Sequence, residues 1–453
     1  MANCGFGWPI WSDLNVGVPT FAPGWGSWQA ALPLTNLQDR RLAKVARSTD
    51  ATAASTQFML QLYGGGGAVK PIYMVAIPKH NLSATGWVRV RGNNAAGASS
   101  TIWFYPDFGT GWTSVGTPTR VAANHLCADG VPLDQIGDDT AAALEGYTQV
   151  QPNFGTTGLS KAISCRISKG TSTSSVIRLR DTTAGADRLL AAVTWTGSVA
   201  TVTMTTGTLS AQYDLGAGDY RLFFLTTAVT TANTHQLEIY PATTAALAIA
   251  NTGDVFIGDF EISQYNDDRI YWDTGCVTPW PAGLLASDLA GLNVPFVFVP
   301  TRVWAQPLGT AVSCVYVNIN DTANSAGYVE LGRFIASGLY QPAVNLSYGA
   351  GIGLSTETTR TITDGGAALY NSKAVRRTVT GVLDNIAEAE ALGTFWKMQK
   401  QLGTSGQLMF MWDTAETTYR HERSFLGVLQ ALSPLTQPYV SRYQGAFSVV
   451  EEL

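Results

Sequence analysis

Charge is scarce in this chain. Asp, Glu, Lys and Arg make up only 13% of its 453 residues, against roughly a quarter in an ordinary soluble domain, so its surface must be wetted mainly by uncharged polar groups. Lys and Arg total 28 and Asp and Glu 33, for a net charge of −5. That balance gives no basic footprint for nucleic acid or an anionic membrane. No run of apolar residues is long enough to span a bilayer. The start, Met-Ala-Asn-Cys-Gly-Phe, lacks the cationic and apolar regions of a secretory signal. No membrane insertion is expected, and synthesis is expected in the cytoplasm. The five cysteines, Cys4, Cys127, Cys165, Cys276 and Cys314, are odd in number, far apart and free of C-x-x-C pairs, which argues against a disulfide framework or a zinc knuckle. His125 and Cys127 lie close together, but no second pair stands at ligand spacing. Gly64 to Gly67 and Gly349-Ala-Gly-Ile-Gly353 lack the sequence context of phosphate cradles and read as loops or turns. No cofactor and no metal is expected.

What is present is apolar and aromatic: 45% hydrophobic residues, 46 glycines and 13 tryptophans. Short apolar runs punctuated by Gly, Asn, Asp, Thr and Pro recur along the chain, which predicts a mainly β, multi-domain protein built of sandwiches. At 86–91, Val88 and Val90 alternate with Trp87, Arg89 and Arg91, so one face of that strand is expected to be dry and the other wet. A block of eight candidate strands, from 147–151 to 254–264, suits a two-sheet jelly roll. One helix is expected over 386–402: Asn385 and Glu388 have near capping-box spacing, Ala387, Ala391, Phe395, Met398 and Leu402 share a face, and Gly403 closes it. With its flanking strands it forms a small β-α-β unit.

Trp28-Gln-Ala-Ala-Leu-Pro-Leu-Thr-Asn-Leu37, Val75-Ala-Ile-Pro-Lys-His-Asn-Leu-Ser83 and Tyr328-Val-Glu-Leu-Gly-Arg-Phe-Ile335 resemble the galactose-binding-like (discoidin-type) sandwich of tailed-bacteriophage virion proteins. Lys161 to Gly170, Gly218 to Phe224 and Val255 to Ile262 are similar to carbohydrate-binding-module-like jelly rolls of phage tail proteins. The last hundred residues look like the β-α-β organisation of tail-tube and distal-tail proteins. The resemblance implies a Trp-rich arm at 1–27, a discontinuous galactose-binding-like sandwich at 28–140 and 276–350, an inserted jelly roll at 141–275 and a C-terminal tail-protein-like domain at 351–453. Insertion is physically natural where a loop's two ends lie close together.

Candidate sites are few. His80, beside Lys79, Asn81 and Ser83, has no elbow motif or acidic partner and reads as a turn-fixing residue. Asp254, Asp259, Glu261, Asp267, Asp268 and Asp273 form an acidic group that invites calcium or glycoside cleavage. Alternation puts Asp259 and Glu261 on one strand face, expected to be solvated. Trp195 and Tyr240 are candidate saccharide contacts, and Trp8, Trp11, Trp25, Phe395 and Trp396 are candidate interface residues, because rings suit sugar faces and protein interfaces. The arm is too short to bury its own rings and must dock on the chain's own sandwich or on a neighbouring subunit. The resemblance implies a non-enzymatic component of the virion tail or baseplate that docks other tail proteins and forms a homo-oligomer. The alternative is an adhesin for host-surface glycan, and a polysaccharide-degrading enzyme is a further one.

Overall fold

A computed structural model describes residues 3–13, 19–62, 69–93, 102–105, 108–109, 111–151, 154, 158–247, 251–263, 270–279, 296–298, 311–364, 366–415 and 419–453. Gly64 to Gly67, Asp267 and Asp268 lie outside them. The chain is mainly β, with larger sheets of seven, seven, six and five strands and a three-stranded sheet beside them.

The five-stranded sheet runs in the order Thr20–Phe21, Phe58–Gln61, Cys314–Asn320, Trp87–Asn93, Ile270–Asp273. It faces the three-stranded sheet of Phe296–Phe298, Met74–Ile77 and Ile335–Ser337. Val88, Val90, Val315, Val317 and Ile319 meet Val75, Ile77 and Ala336 in their common core, as the period-2 alternation of strands requires. Residues near 312–319 and 328–335 do not form a hairpin. Cys314–Asn320 is central to the larger sheet, whereas Glu330–Leu331 pairs with Ala46–Arg47.

Between Trp87–Asn93 and Ile270–Asp273, which are themselves hydrogen-bonded neighbours, the chain leaves to build a second sandwich. One sheet holds Thr119–Leu126, Pro132–Asp138, Gly253–Ser263, Ala162–Lys169, Asp219–Leu225 and Thr208–Gly216, with Ile102–Tyr105 on its side. The other holds Val199–Thr206, Ala186–Thr196, Ser174–Asp181, His235–Tyr240, Gly146–Gln151 and Thr113–Val115. Ile163, Cys165, Ile167, Leu222 and Ile257 of the first sheet meet Ile177, Leu179, Leu189, Val193 and Leu237 of the second. The unit therefore begins near 102 and not at 141. The strands between 113 and 138 carry polar or exposed residues that mask their alternation, yet they and Ile102–Tyr105 pair with the later strands of the block.

The C-terminal unit is a seven-stranded sheet covered by one helix over Glu388–Leu402, whose middle turn, Ala391–Phe395, is a π-helix. The helix starts after 386 because Val375–Ala387 continues as a strand to its foot, with Asn385 in the left-handed region at a register shift. No side chain caps it, so Asn385 is a bulge residue and not an N-cap. Gly403 closes it with a φ of 56°.

The amino-terminal arm is used within the chain. Gly5–Gly7 adds an edge strand to the C-terminal sheet, paired with Gln407–Met411. Phe6 is enclosed by Tyr340, Phe410 and Phe447, with ring centroids 5.0–5.6 Å away.

Candidate functional site

Two features stand out as built for more than a core. The first is the seam between the two sandwiches. The outer face of the five-stranded sheet packs on the outer face of the inserted unit's seven-stranded sheet. Half of the seam is apolar, with Met59 and Tyr316 against Leu215 and Phe223.

The other half is charged. Arg89 and Arg91, on the strand face expected to be wet, are buried. The Arg89 guanidinium donates to Asp259 at 2.5 Å and to Asp273 at 2.5 Å. Arg91 donates to Glu261 at 2.6 Å and to Asn318 at 2.5 Å. From the inserted unit, Arg166 donates to Asp129 at 2.7 Å and Asp273 at 2.9 Å and contacts Asp259. Arg221 donates to Glu261 at 2.6 Å and contacts Asp259 as well. Four guanidinium groups thus face the four carboxylates of Asp129, Asp259, Glu261 and Asp273, and formal charge balances. Such balance is what burial of ions demands.

Local geometry aims these groups. Asp259 has φ of 51° where the pairing of Gly253–Ser263 with Ala162–Lys169 slips register. A bulge of this kind bends the strand and raises its local twist, and Asp259 stays on the seam side with Glu261, where Arg221 meets both. Burial alone would raise the Asp259 carboxyl, but Arg89, Arg166 and Arg221 outweigh it and hold it well below the usual carboxylate range. Asp273 is likewise held low against burial by Arg89 and Arg166. Asp259 and Glu261, each 4% exposed, are therefore not a solvated face. Alternation gave their shared direction correctly, and the arginines that bury them come from 170 residues upstream. Their charges are matched by guanidinium, so they offer neither a calcium cage nor a carboxyl pair flanking a sugar.

The second feature is the exposed margin of the C-terminal unit. Gly351–Thr356 is an edge strand paired only with Val375–Ala387. Beyond it, Thr359–Ile362 and Ala368–Asn371 form a hairpin that pairs with nothing else in the described sheets, and all their residues are exposed. Ile362, Leu369 and Tyr370 are 59–63% exposed, and Leu354 73%. Trp396, on the helix of the same unit, is 46% exposed.

The sequence-derived site residues fall differently from expectation. Trp8 packs on the C-terminal core, Trp11 on the first sandwich, and Trp25 against Tyr316 at the seam. Phe395 is fully buried. Of that set only Trp396 presents a largely exposed ring, because the arm's rings are consumed by the chain's own sheets. Trp195 and Tyr240 are also buried and belong to different clusters: Trp195 lies in the core of the inserted sandwich, and Tyr240 lies on the opposite side of its six-stranded sheet, donating to Glu238 at 3.1 Å. They do not share a groove. His80 fixes a turn: its Nδ1 accepts the Leu82 N–H at 3.3 Å, while Asn81 bonds Tyr328 and Glu330.

No family model matches the chain, and no curated protein matches it closely enough to count as a relative. Among solved structures it is similar to three at low levels. One is the enzymatically active domain of bacteriophage CBA120 tailspike protein 4, at 14% identity and a TM-score of 0.21, over 33% of this chain and 19% of that one. Another is the arabinose-bound MgGH51 α-L-arabinofuranosidase, at 12% identity and 0.22, over 46% and 28%. A third is the CBM22-2 xylan-binding domain of Paenibacillus barcinonensis Xyn10C, at 11% identity and 0.23, over 35% and 98%. The match spans less than a third of the first two proteins. The expectation of a chain without enzymatic activity is withdrawn, since two of the neighbours are an enzymatically active domain and an arabinofuranosidase. Among the described residues no helix is long and apolar enough to cross a membrane.

Proposed function

We propose that this chain is an assembly component of a bacteriophage tail, sited at the tail tip or baseplate, which docks its neighbours through the C-terminal unit and carries the inserted sandwich on a fixed mount. The observation that carries the reading is the unpaired, fully exposed hairpin of Thr359–Ile362 and Ala368–Asn371 beside a free edge strand. The hairpin, with Ile362, Leu369 and Tyr370 in solvent, joins no other strand among the described residues. Free strand edges readily pair with another chain, and the tail resemblance of the sequence supplies the assembly. Copies of this chain and other tail proteins are the partners that reading implies. Immunogold labelling of intact virions of the source phage tests it. Label confined to the tail tip supports the proposal, and protein found only free in the lysate overturns it.

A second reading, display of a glycan-binding unit, is favoured by one surface. Thr194, Thr201, Thr203 and Thr205 stand exposed on the paired strands Ala186–Thr196 and Val199–Thr206, with Thr194 directly opposite Thr201. A row of solvated hydroxyls suits the hydrogen bonding of a polysaccharide. Binding of the full chain to an array of bacterial surface glycans decides it.

A further inference from the structure

His125 and Cys127 are separated by one residue, at the end of Thr119–Leu126 and the turn that follows. The acidic residue nearest in sequence, Asp129, is taken up by Arg166. The fold supplies a third ligand: Asp219, which opens Asp219–Leu225, lies 94 residues along the chain and meets His125 Nε2 at 2.6 Å. The His125 nitrogen, the Cys127 sulfur and an Asp219 oxygen all lie within 4.8 Å of one another. We propose that this trio is a binding site for a divalent transition-metal cation of zinc type, held by the imidazole, a thiolate and a carboxylate.

The donor set selects the cation. Sulfur and imidazole nitrogen suit zinc and its neighbours and repel calcium or magnesium, which take oxygen. Bond lengths of about 2.0–2.3 Å put the ligand atoms of a tetrahedral centre roughly 3.3–3.8 Å apart. Reaching that spacing asks His125 and Asp219, 2.6 Å apart, to part by about an ångström and Cys127, within 4.8 Å of both, to close by no more than about 1.5 Å, which side-chain rotation allows. Charge also balances, because one thiolate and one carboxylate neutralise a divalent ion. Asp219 is already oriented: its second oxygen accepts the Ala128 N–H at 2.7 Å, the outer support that metal ligands need.

Access is built in. Asp219 and Cys127 are buried, but the His125 side chain is 27% exposed, leaving a solvent-facing direction for a fourth ligand, water. Without a cation the thiol has no reason to ionise there, since burial and then the Asp219 charge push it up. On binding, the thiol proton leaves to solvent, and the imidazole, whose Nε2 donates to Asp219 in the metal-free chain, shifts its proton to Nδ1 so that Nε2 can ligate the ion.

The full chain, stripped of metal with chelator and titrated with Co2+, gives the test. The expected result is one Co2+ per chain, with near-ultraviolet thiolate-to-cobalt absorption that Zn2+ bleaches. Cys127→Ser, nearly isosteric, should abolish that band, and His125→Ala, which removes a partly exposed side chain, should weaken binding at least about tenfold. A metal-free chain that shows no thiolate-to-cobalt band on titration overturns the site, and so does a band that persists in Cys127→Ser or an unchanged cobalt affinity in His125→Ala. Should Cys127→Ser fail to fold, the His125→Ala titration decides alone.

Discussion

Arg166 is the residue on which the seam between the two sandwiches depends most. It is fully buried and bonds Asp129, Asp259 and Asp273 together. Replacing it with methionine keeps much of its volume but removes one of four positive charges from a closed set of eight groups. Asp259 and Asp273 keep Arg89; Asp129 is reached by no other arginine of the network. Leaving a buried carboxylate uncompensated costs about 3–5 kcal/mol. A chain with several separate cores does not unfold as one unit, so the readout has to be local. Hydrogen exchange should accelerate roughly 100- to 4,000-fold in Ala162–Lys169 and in Trp87–Asn93, which that loss implies at about 1.4 kcal/mol per tenfold. The charge-balanced pair Arg166→Met with Asp129→Leu should recover most of the protection, because exchanging a whole buried pair for apolar groups is often neutral. Exchange in Arg166→Met within about threefold of the parent chain would refute the reasoning, since the network would then contribute little that its packing does not.

Acid should open the same seam. Asp259 and Asp273 are held low in the fold by Arg89 and Arg166 against the opposing pull of burial, whereas an unfolded aspartate titrates near about 3.9. The unfolded chain therefore binds more protons in acid, so the contribution of these groups is fully present above about pH 5 and is lost as pH falls below about 4. Urea midpoints at pH 7, 5 and 3 check this, and an unchanged midpoint at pH 3 would count against it. Phe6→Ala should cost about 3–5 kcal/mol of local stability and release the arm, seen as rapid proteolysis near residue 5; equal protease resistance would show the arm is held by its strand pairing alone. Gly92→Ala should destabilise the first sandwich by about 1–3 kcal/mol, because an added Cβ would stand 2.2 Å from the Trp272 indole. Amide exchange in Trp87–Asn93 unchanged from the parent chain would contradict that contact.

Strand positions were legible where the sequence alternates or is cleanly punctuated. Ser174–Asp181 and His235–Tyr240 carry the signal in full. Thr208–Gly216 and the strands between 113 and 138 were missed because polar residues interrupt their period, and Ile102–Tyr105 because a run of four apolar residues shows no period. The charged seam was half visible. Val88 and Val90 named the dry face of their strand, and nothing local could say that Arg89 and Arg91 would be covered as well. One signal existed: Arg166 and Arg221 sit inside otherwise apolar runs of a charge-poor chain, where an arginine is tolerated only with a partner. Asn385 shows the opposite failure. Its spacing to Glu388 imitates a cap, but asparagine also tolerates the left-handed region, and the strand's bulge claimed it first. Asp219 could not have been placed beside His125 and Cys127, because the contact spans 94 residues and joins strands of one sheet that are not hydrogen-bonded neighbours.

A seam made of guanidinium and carboxylate groups does something an apolar seam does not. Apolar contact is non-directional, so two sheet faces packed only through residues such as Met59, Tyr316 and Phe223 can slide with little change in buried area. Arg89 and Arg166 each grip more than one carboxylate, and both grip Asp259 and Asp273. Planar forks of this kind fix angle as well as distance. Asp273 belongs to the strand by which the chain returns to the first sandwich, and Asp259 to the last long strand of the inserted one. The two carboxylates therefore tie the inserted unit at the point where its chain re-enters its host. Display of the inserted sandwich in one orientation follows from that placement, which an assembled array of copies would require and a flexibly tethered domain would not supply.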